Sequence, residues 1–122
     1  MSEPRVALLI QSSWEYGRGL LRGIGVYAHT HGPWTMFHRV GLLPDRLSPQ
    51  LRRWRPQGVL GQFESRRVLR QVEGLGVPAI DLFALHQVAG IPRFSIDHAA
   101  VARMAADYYL ELGYRHFAFC GQ

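Results

Sequence analysis

Ser12-Ser13-Trp14-Glu15-Tyr16 brings two hydroxyls, an indole, a carboxylate and a phenol together directly after an apolar run. Two further clusters have the same mixed character. Gln62-Phe63-Glu64 follows the short apolar stretch 58–61, and Asp97-His98 follows Phe94-Ser95-Ile96. Indole and phenol rings stack on the apolar face of a sugar ring, while carboxylates and amides pair with its hydroxyls. If strands end at these clusters, the groups converge at the carboxyl end of a parallel sheet, where open α/β folds bind ligands. The pattern suits a polyol pocket. Ser12, Glu15 and Asp97 also suit helix capping, and for Glu15 and Asp97 capping and ligand contact are compatible.

Gly17-Arg18-Gly19-Leu20-Leu21-Arg22-Gly23 approximates a dinucleotide-binding glycine fingerprint. It sits too far from the first strand, because five or six polar and aromatic residues intervene, whereas the fingerprint needs glycine in the turn itself. No acidic residue follows the second strand to take a ribose hydroxyl. Close packing of helix on sheet accounts better for the three glycines.

Enzyme constellations are absent: there is no G-x-S-x-G elbow, no P-loop and no H-E-x-x-H. Glu15 and Asp97 form an acid–base pair only if the fold brings them together. The six histidines show no metal-ligand spacing, so no metal and no cofactor are expected. The single cysteine, Cys120, excludes an internal disulfide, and its apolar neighbours make it a core residue.

The elements that must position these clusters alternate strand and helix. RVALLI, residues 5–10, is a buried strand. Ser12 and Glu15 fit a capping box, and the helix that follows runs from about Ser13 or Tyr16 to His29, stopped by Gly32-Pro33. Trp34 to Val40 is the second strand. Ser48-Pro49 starts a short helix that presents Leu51 and Trp54 and ends at Pro56. Residues 58–61 form an interior strand. Val68, Leu69, Val72 and Leu75 recur at helical spacing, and Val77 to Phe83 is another strand region. Asp97 caps a helix whose buried stripe is Val101, Met104, Ala105, Tyr108 and Leu112, with Gly113 as its C-terminal cap. His116 to Cys120 reads as a last strand. This alternation predicts an α/β fold with a parallel sheet. Because no covering helix follows that last strand, the 122 residues read as the opening part of a larger protein.

Composition fits one small globular domain, 48% hydrophobic, without internal repeats. The net charge of +5 is spread over amphipathic elements. Arg46, Arg52, Arg53 and Arg55 surround one short helix and Arg66, Arg67 and Arg70 lie on another, which suits a solvated face better than a nucleic-acid-binding one. The amino terminus lacks the pattern of a signal peptide and no stretch approaches a membrane span, so a cytoplasmic protein without membrane contact is expected.

The stretch IDHAAVARMAADYYLELGYRHFAFCG, residues 96–121, resembles the segment that follows the core strand in the N-terminal lobe of LacI-type and periplasmic-sugar-binding-type domains. RVALLI…YGRGLLRGIGVYA adds to the likeness. The chain looks particularly like the sugar-sensing part of xylose-operon regulators of the AraC family, in which such a domain precedes a helix-turn-helix module. The resemblance implies a periplasmic-binding-protein-like, Rossmann-like α/β lobe covering residues 1–122, with a second lobe and a DNA-binding module outside them. It places ligand contacts on Trp14, Glu15 and Tyr16, on Gln62 and Phe63, and on Asp97, which faces the cleft between lobes. His98 takes a position often held by asparagine. Arg18 is expected to reach the cleft or the effector. The first helix and the helix of residues 65–75 resemble those that build a homodimer contact.

The function this implies is the sugar-sensing part, xylose being one candidate effector, of a DNA-binding transcriptional regulator, and not an enzyme. DNA would be contacted only through a module outside this chain. A transport-type sugar-binding protein would use the same lobe but calls for a leader peptide. A nucleotide-dependent enzyme would rely on the glycine-bearing helix start.

Overall fold

The computed structural model describes residues 2–41 and 43–121. Its elements run β1 (Arg5–Leu9), α1 (Glu15–His31), β2 (Thr35–His38), α2 (Pro49–Trp54), β3 (Gly58–Gly61), α3 (Arg66–Glu73), β4 (Ala79–Asp81) and α4 (His98–Glu111). The four strands form one all-parallel sheet in the order β2-β1-β3-β4. After β2 is added on one side of β1, β3 and β4 are added on the other. Right-handed crossovers then require α1 on one face and α2 and α3 on the opposite face.

The two cores follow that division. Alternate residues of β1 point to opposite sides. Val6, Leu8 and Ile10 pack with Leu20, Leu21 and Ile24 of α1. Ala7 joins Val59 and Ala79 against Leu51 of α2 and Val68, Leu69 and Val72 of α3. Because both faces are covered around β1 and β3, these strands read as continuous apolar runs.

Local chemistry sets most boundaries. Ser48 Oγ accepts the Leu51 N–H at 3.1 Å, with Pro49 in the first helical turn, and Ser65 Oγ accepts from Val68 N–H at 3.3 Å. Asp97 Oδ1 accepts from Ala100 N–H at 2.9 Å, and Gly113 takes φ +90 just past α4. The strands are shorter than their apolar runs. β3 has only four residues, so β4 pairs from Ala79 to Asp81 and no further, although Val77 to Phe83 is apolar enough to continue. β2 stops at His38, whose Nε2 contacts the Ile10 carbonyl at 3.0 Å.

Four expectations are corrected. The Ser12–Glu15 capping box does not form. Trp14 is the N-cap, without a side-chain cap bond, so Glu15 stands in the first helical position, where its carboxylate pairs with arginines. Phe94-Ser95-Ile96 is not a strand, because only an isolated bridge joins Asp81 to Arg93. His116 to Cys120 is not a strand, and Cys120 is exposed. The sheet edge beside Asp81 is already taken by the preceding segment, since Asp81 N–H donates to Pro92 C=O and Phe94 N–H donates to Asp81 C=O. Finally, no residue of α4 is buried. Its stripe exists as a pattern, but the helix does not lie on the sheet, and Met104 is 74% exposed.

Candidate functional site

The strand order reverses between β1 and β3, and the chain leaves both strands at the same end. At such a switch point the two following connections diverge and open a crevice. A cavity of about 400 Å³ lies there, within the range of small-molecule pockets. Gln11, Trp14, Tyr16 and Gly17 contribute from the β1–α1 connection and Gln62 and Glu64 from the end of β3. Leu82 and Phe83 follow β4, and Ser95, Ile96 and His98 complete the wall.

Gln62 is the centre of this arrangement. It is 5% exposed yet lines the cavity. Its backbone N–H donates to Leu9 C=O at 2.9 Å, extending the β1–β3 ladder by one residue. Its Oε1 accepts from Gln11 N–H at 2.9 Å. The amide nitrogen makes no hydrogen bond among the described residues and is open to the cavity; the fully enclosed side-chain atoms without a partner are Ser12 Oγ and Asp81 Oδ2. A buried amide with its acceptor engaged and its donor free is a donor waiting for a ligand oxygen or water.

The walls are shaped by specific contacts. Gly17 is buried at the start of α1, and a Cβ there would overlap the Gln11 carbonyl oxygen. Only glycine lets the first turn of α1 close over the end of β1. Gly23 meets nothing within 4 Å, and Gly19 only the far end of Arg22, so the packing role expected of three glycines belongs to Gly17 alone. At β4, Asp81 is fully buried; its Oδ1 accepts from Phe83 N–H at 2.9 Å and turns the chain so that Phe83 reaches the cavity. His86 Nε2 contacts the Glu64 carbonyl at 3.0 Å and fixes the β3–α3 connection.

Of the residues singled out in the sequence, Trp14, Tyr16, Gln62, Glu64 and His98 line this cavity together, with Trp14 54% and Tyr16 42% exposed. Glu15 and Arg18 stand beside it. Arg18 reaches Glu15 at 3.0 Å and the Ser12 carbonyl at 3.1 Å, while Arg22 reaches the other Glu15 oxygen at 2.6 Å. Hydrogen bonds from Arg22 first and Arg18 second hold the Glu15 carboxyl below its ordinary value of 4.5. The three charges occupy one another on the solvent side of α1, and Glu15 and Asp97 share no cavity. Asp97 caps α4 and presents its neighbour His98 instead.

Phe63 is corrected outright as a wall of this cavity. It is 1% exposed and lies in the α2–α3 core, its ring against Gly61. Side chains alternate along extended backbone, so with Gln62 turned to the cavity Phe63 turns away. Gln11, Leu82, Phe83, Ser95 and Ile96 were not singled out in the sequence. The Asp81-x-Phe83 spacing at a strand end was the available signal, since aspartate commonly bonds the backbone two residues on.

Among the described residues there is no cluster of three or more metal-ligating side chains and no helix long and apolar enough to cross a membrane. The molecule is an α/β protein with a four-stranded, all-parallel, Rossmann-like sheet and a cavity at its switch point. Searches of protein-family models, curated proteins and solved structures find no match to this chain.

Proposed function

We propose that the chain is the sugar-sensing lobe of a cytoplasmic DNA-binding transcriptional regulator, of the periplasmic-binding-protein-like, LacI-type architecture joined to an AraC-family module. The observation that carries the reading is Gln62, a buried amide with a free donor at the switch-point cavity, flanked by the exposed rings of Trp14 and Tyr16. An aromatic platform beside a small number of fixed polar groups is what a pyranose needs. The rings cover its apolar face, the Gln62 amide donates to a hydroxyl, and Glu64 and His98 offer further polar contacts. On this reading the cavity residues bind and orient a sugar and are not catalytic.

In the complete regulator a second lobe would close over this cavity, and sugar would stabilise the closed state by binding it more tightly than the open one. The change would pass to DNA through a homodimer, to which α1 would offer its outward Val26 and Tyr27. Calorimetry of the complete regulator, second lobe included, against pentoses and hexoses, D-xylose among them, tests the reading. Saturable heat with one sugar, abolished by Gln62→Leu, is the expected result. Silence toward every sugar together with tight binding of a nicotinamide nucleotide would overturn it in favour of the glycine-bearing helix start.

A further inference from the structure

A second cavity, of about 310 Å³, opens beside the ends of β1 and β2. We infer that it is a separate binding site, for a small amphiphilic monocarboxylate. Its lining is mixed: Leu9, Phe37, Leu47 and Leu51 continue the α2–α3 core up to the cavity wall, and polar surface makes up nearly as much of the lining as apolar. Two arginines, Arg39 and Arg46, also line it, and no acidic side chain does. Among the described residues the ion pairs are those of Glu15 with Arg18 and Arg22, so neither cavity arginine has a carboxylate within salt-bridge distance. Asp45 precedes Arg46 in the chain, yet it neither lines the cavity nor pairs.

Three bonds hold the end of β2 and the start of α2 where they border the cavity. His38 Nε2 contacts the Ile10 carbonyl at 3.0 Å and ties β2 to β1. Leu47 N–H donates to Gln71 Oε1 at 2.8 Å, fastening the β2–α2 connection to α3. Ser48 Oγ receives Leu51 N–H at 3.1 Å. Both arginines are exposed and have no acidic partner among the described residues, so their guanidinium groups are open to an anion seated at the cavity mouth. The guanidinium fork matches a carboxylate, and an alkyl or aryl body displaces water from the leucines and Phe37. A sugar phosphate suits the site poorly, because Ser48 is the only hydroxyl among the lining residues and its Oγ is already engaged by Leu51 N–H.

Sodium hexanoate, titrated into the ¹⁵N-labelled full chain at low salt, tests the site. The expected result is saturable shifts at Phe37, Leu47 and Leu51 with a Kd on the order of 1 mM, as its small number of atoms allows. Hexanamide, the neutral analogue, should bind at least about ten-fold more weakly, and so should hexanoate to the Arg39→Gln/Arg46→Gln double variant. Equal binding of hexanamide and hexanoate would overturn the inference. So would shifts centred on Trp14 and Gln62, or no saturation with hexanoate up to about 20 mM. The comparison of the two ligands uses the unaltered chain, so it holds even if the double variant fails to fold.

Discussion

Gln62 and Gln11 are joined at 2.9 Å by a side-chain oxygen and a backbone N–H, and through that bond the ends of β3 and β1 become one rigid lip of the cavity. The same side chain closes the ladder and faces the cavity. If Gln62 also binds sugar, a substitution there tests fold and recognition together, and the choice of replacement separates them.

Gln62→Leu removes both roles. It leaves Gln11 N–H without its partner at a part-buried site, so a loss of about 1–3 kcal/mol is expected in urea unfolding. Sugar binding should vanish in calorimetry at a temperature where circular dichroism shows the variant still folded. Full affinity in the folded variant would remove Gln62 from the recognition site.

Trp14→Ala should behave differently. The indole is more than half exposed and caps α1 only through backbone geometry, so the unfolding midpoint should stay within error of the parent. Loss of a stacking ring should weaken sugar binding about ten-fold. An unchanged dissociation constant would assign the platform to Tyr16 alone.

The glycines of α1 make a matched pair. Gly17→Ala forces a Cβ onto the Gln11 carbonyl and should cost about 1–3 kcal/mol by overpacking. Gly23→Ala, mid-helix in open space, should instead stabilise by about 0.5–1 kcal/mol. Thermal melts of the two single variants give opposite signs if α1 is seated as described.

The Glu15–Arg18–Arg22 triad predicts a weak acid sensitivity. Because the folded carboxyl lies below 4.5, its contribution is complete above that pH and disappears as pH falls through the lowered value. Glu15→Gln should therefore differ from the parent at neutral pH and converge with it in strong acid. The difference should also shrink in high salt, since all three groups are exposed. Melting curves from pH 7 downward, at two ionic strengths, measure both trends.

Phe63→Ala separates the core from the cavity. Truncating a fully buried ring should cost about 3–5 kcal/mol. In the folded fraction the sugar affinity should be that of the parent.

The fold was legible where a local signal and burial agree. The apolar run at β1, the Ser48-Pro49 start of α2, the spacing of Val68, Leu69 and Val72 in α3, and the Asp97 cap all follow from short stretches of chain. The misreadings lie where pairing decides. Nothing local tells Val77 that β3 is too short to extend beside it, or His116 that no strand partner waits for it. The site divides the same way. Trp14, Tyr16, Gln62 and Glu64 declared themselves by chemistry at strand ends, whereas His98 reaches the cavity beside the Asp97 cap with no strand before it. Phe63 looked equal to Gln62 until strand alternation turned it inward, and Phe83 enters only through a turn made by buried Asp81. Glu15 was claimed by neighbours one and two helical turns away, which a linear reading weighs less than a cap.

The end of β1 borders both cavities. Leu8, Leu9 and Ile10 line the arginine-bearing one, and the next residue, Gln11, lines the switch-point one. β1 is thus a party wall between two rooms. A single-residue insertion in it would exchange inward and outward faces for every residue beyond and deface both rooms at once. Loops on either side are free to be redecorated separately, whereas this short strand can change its length for neither tenant.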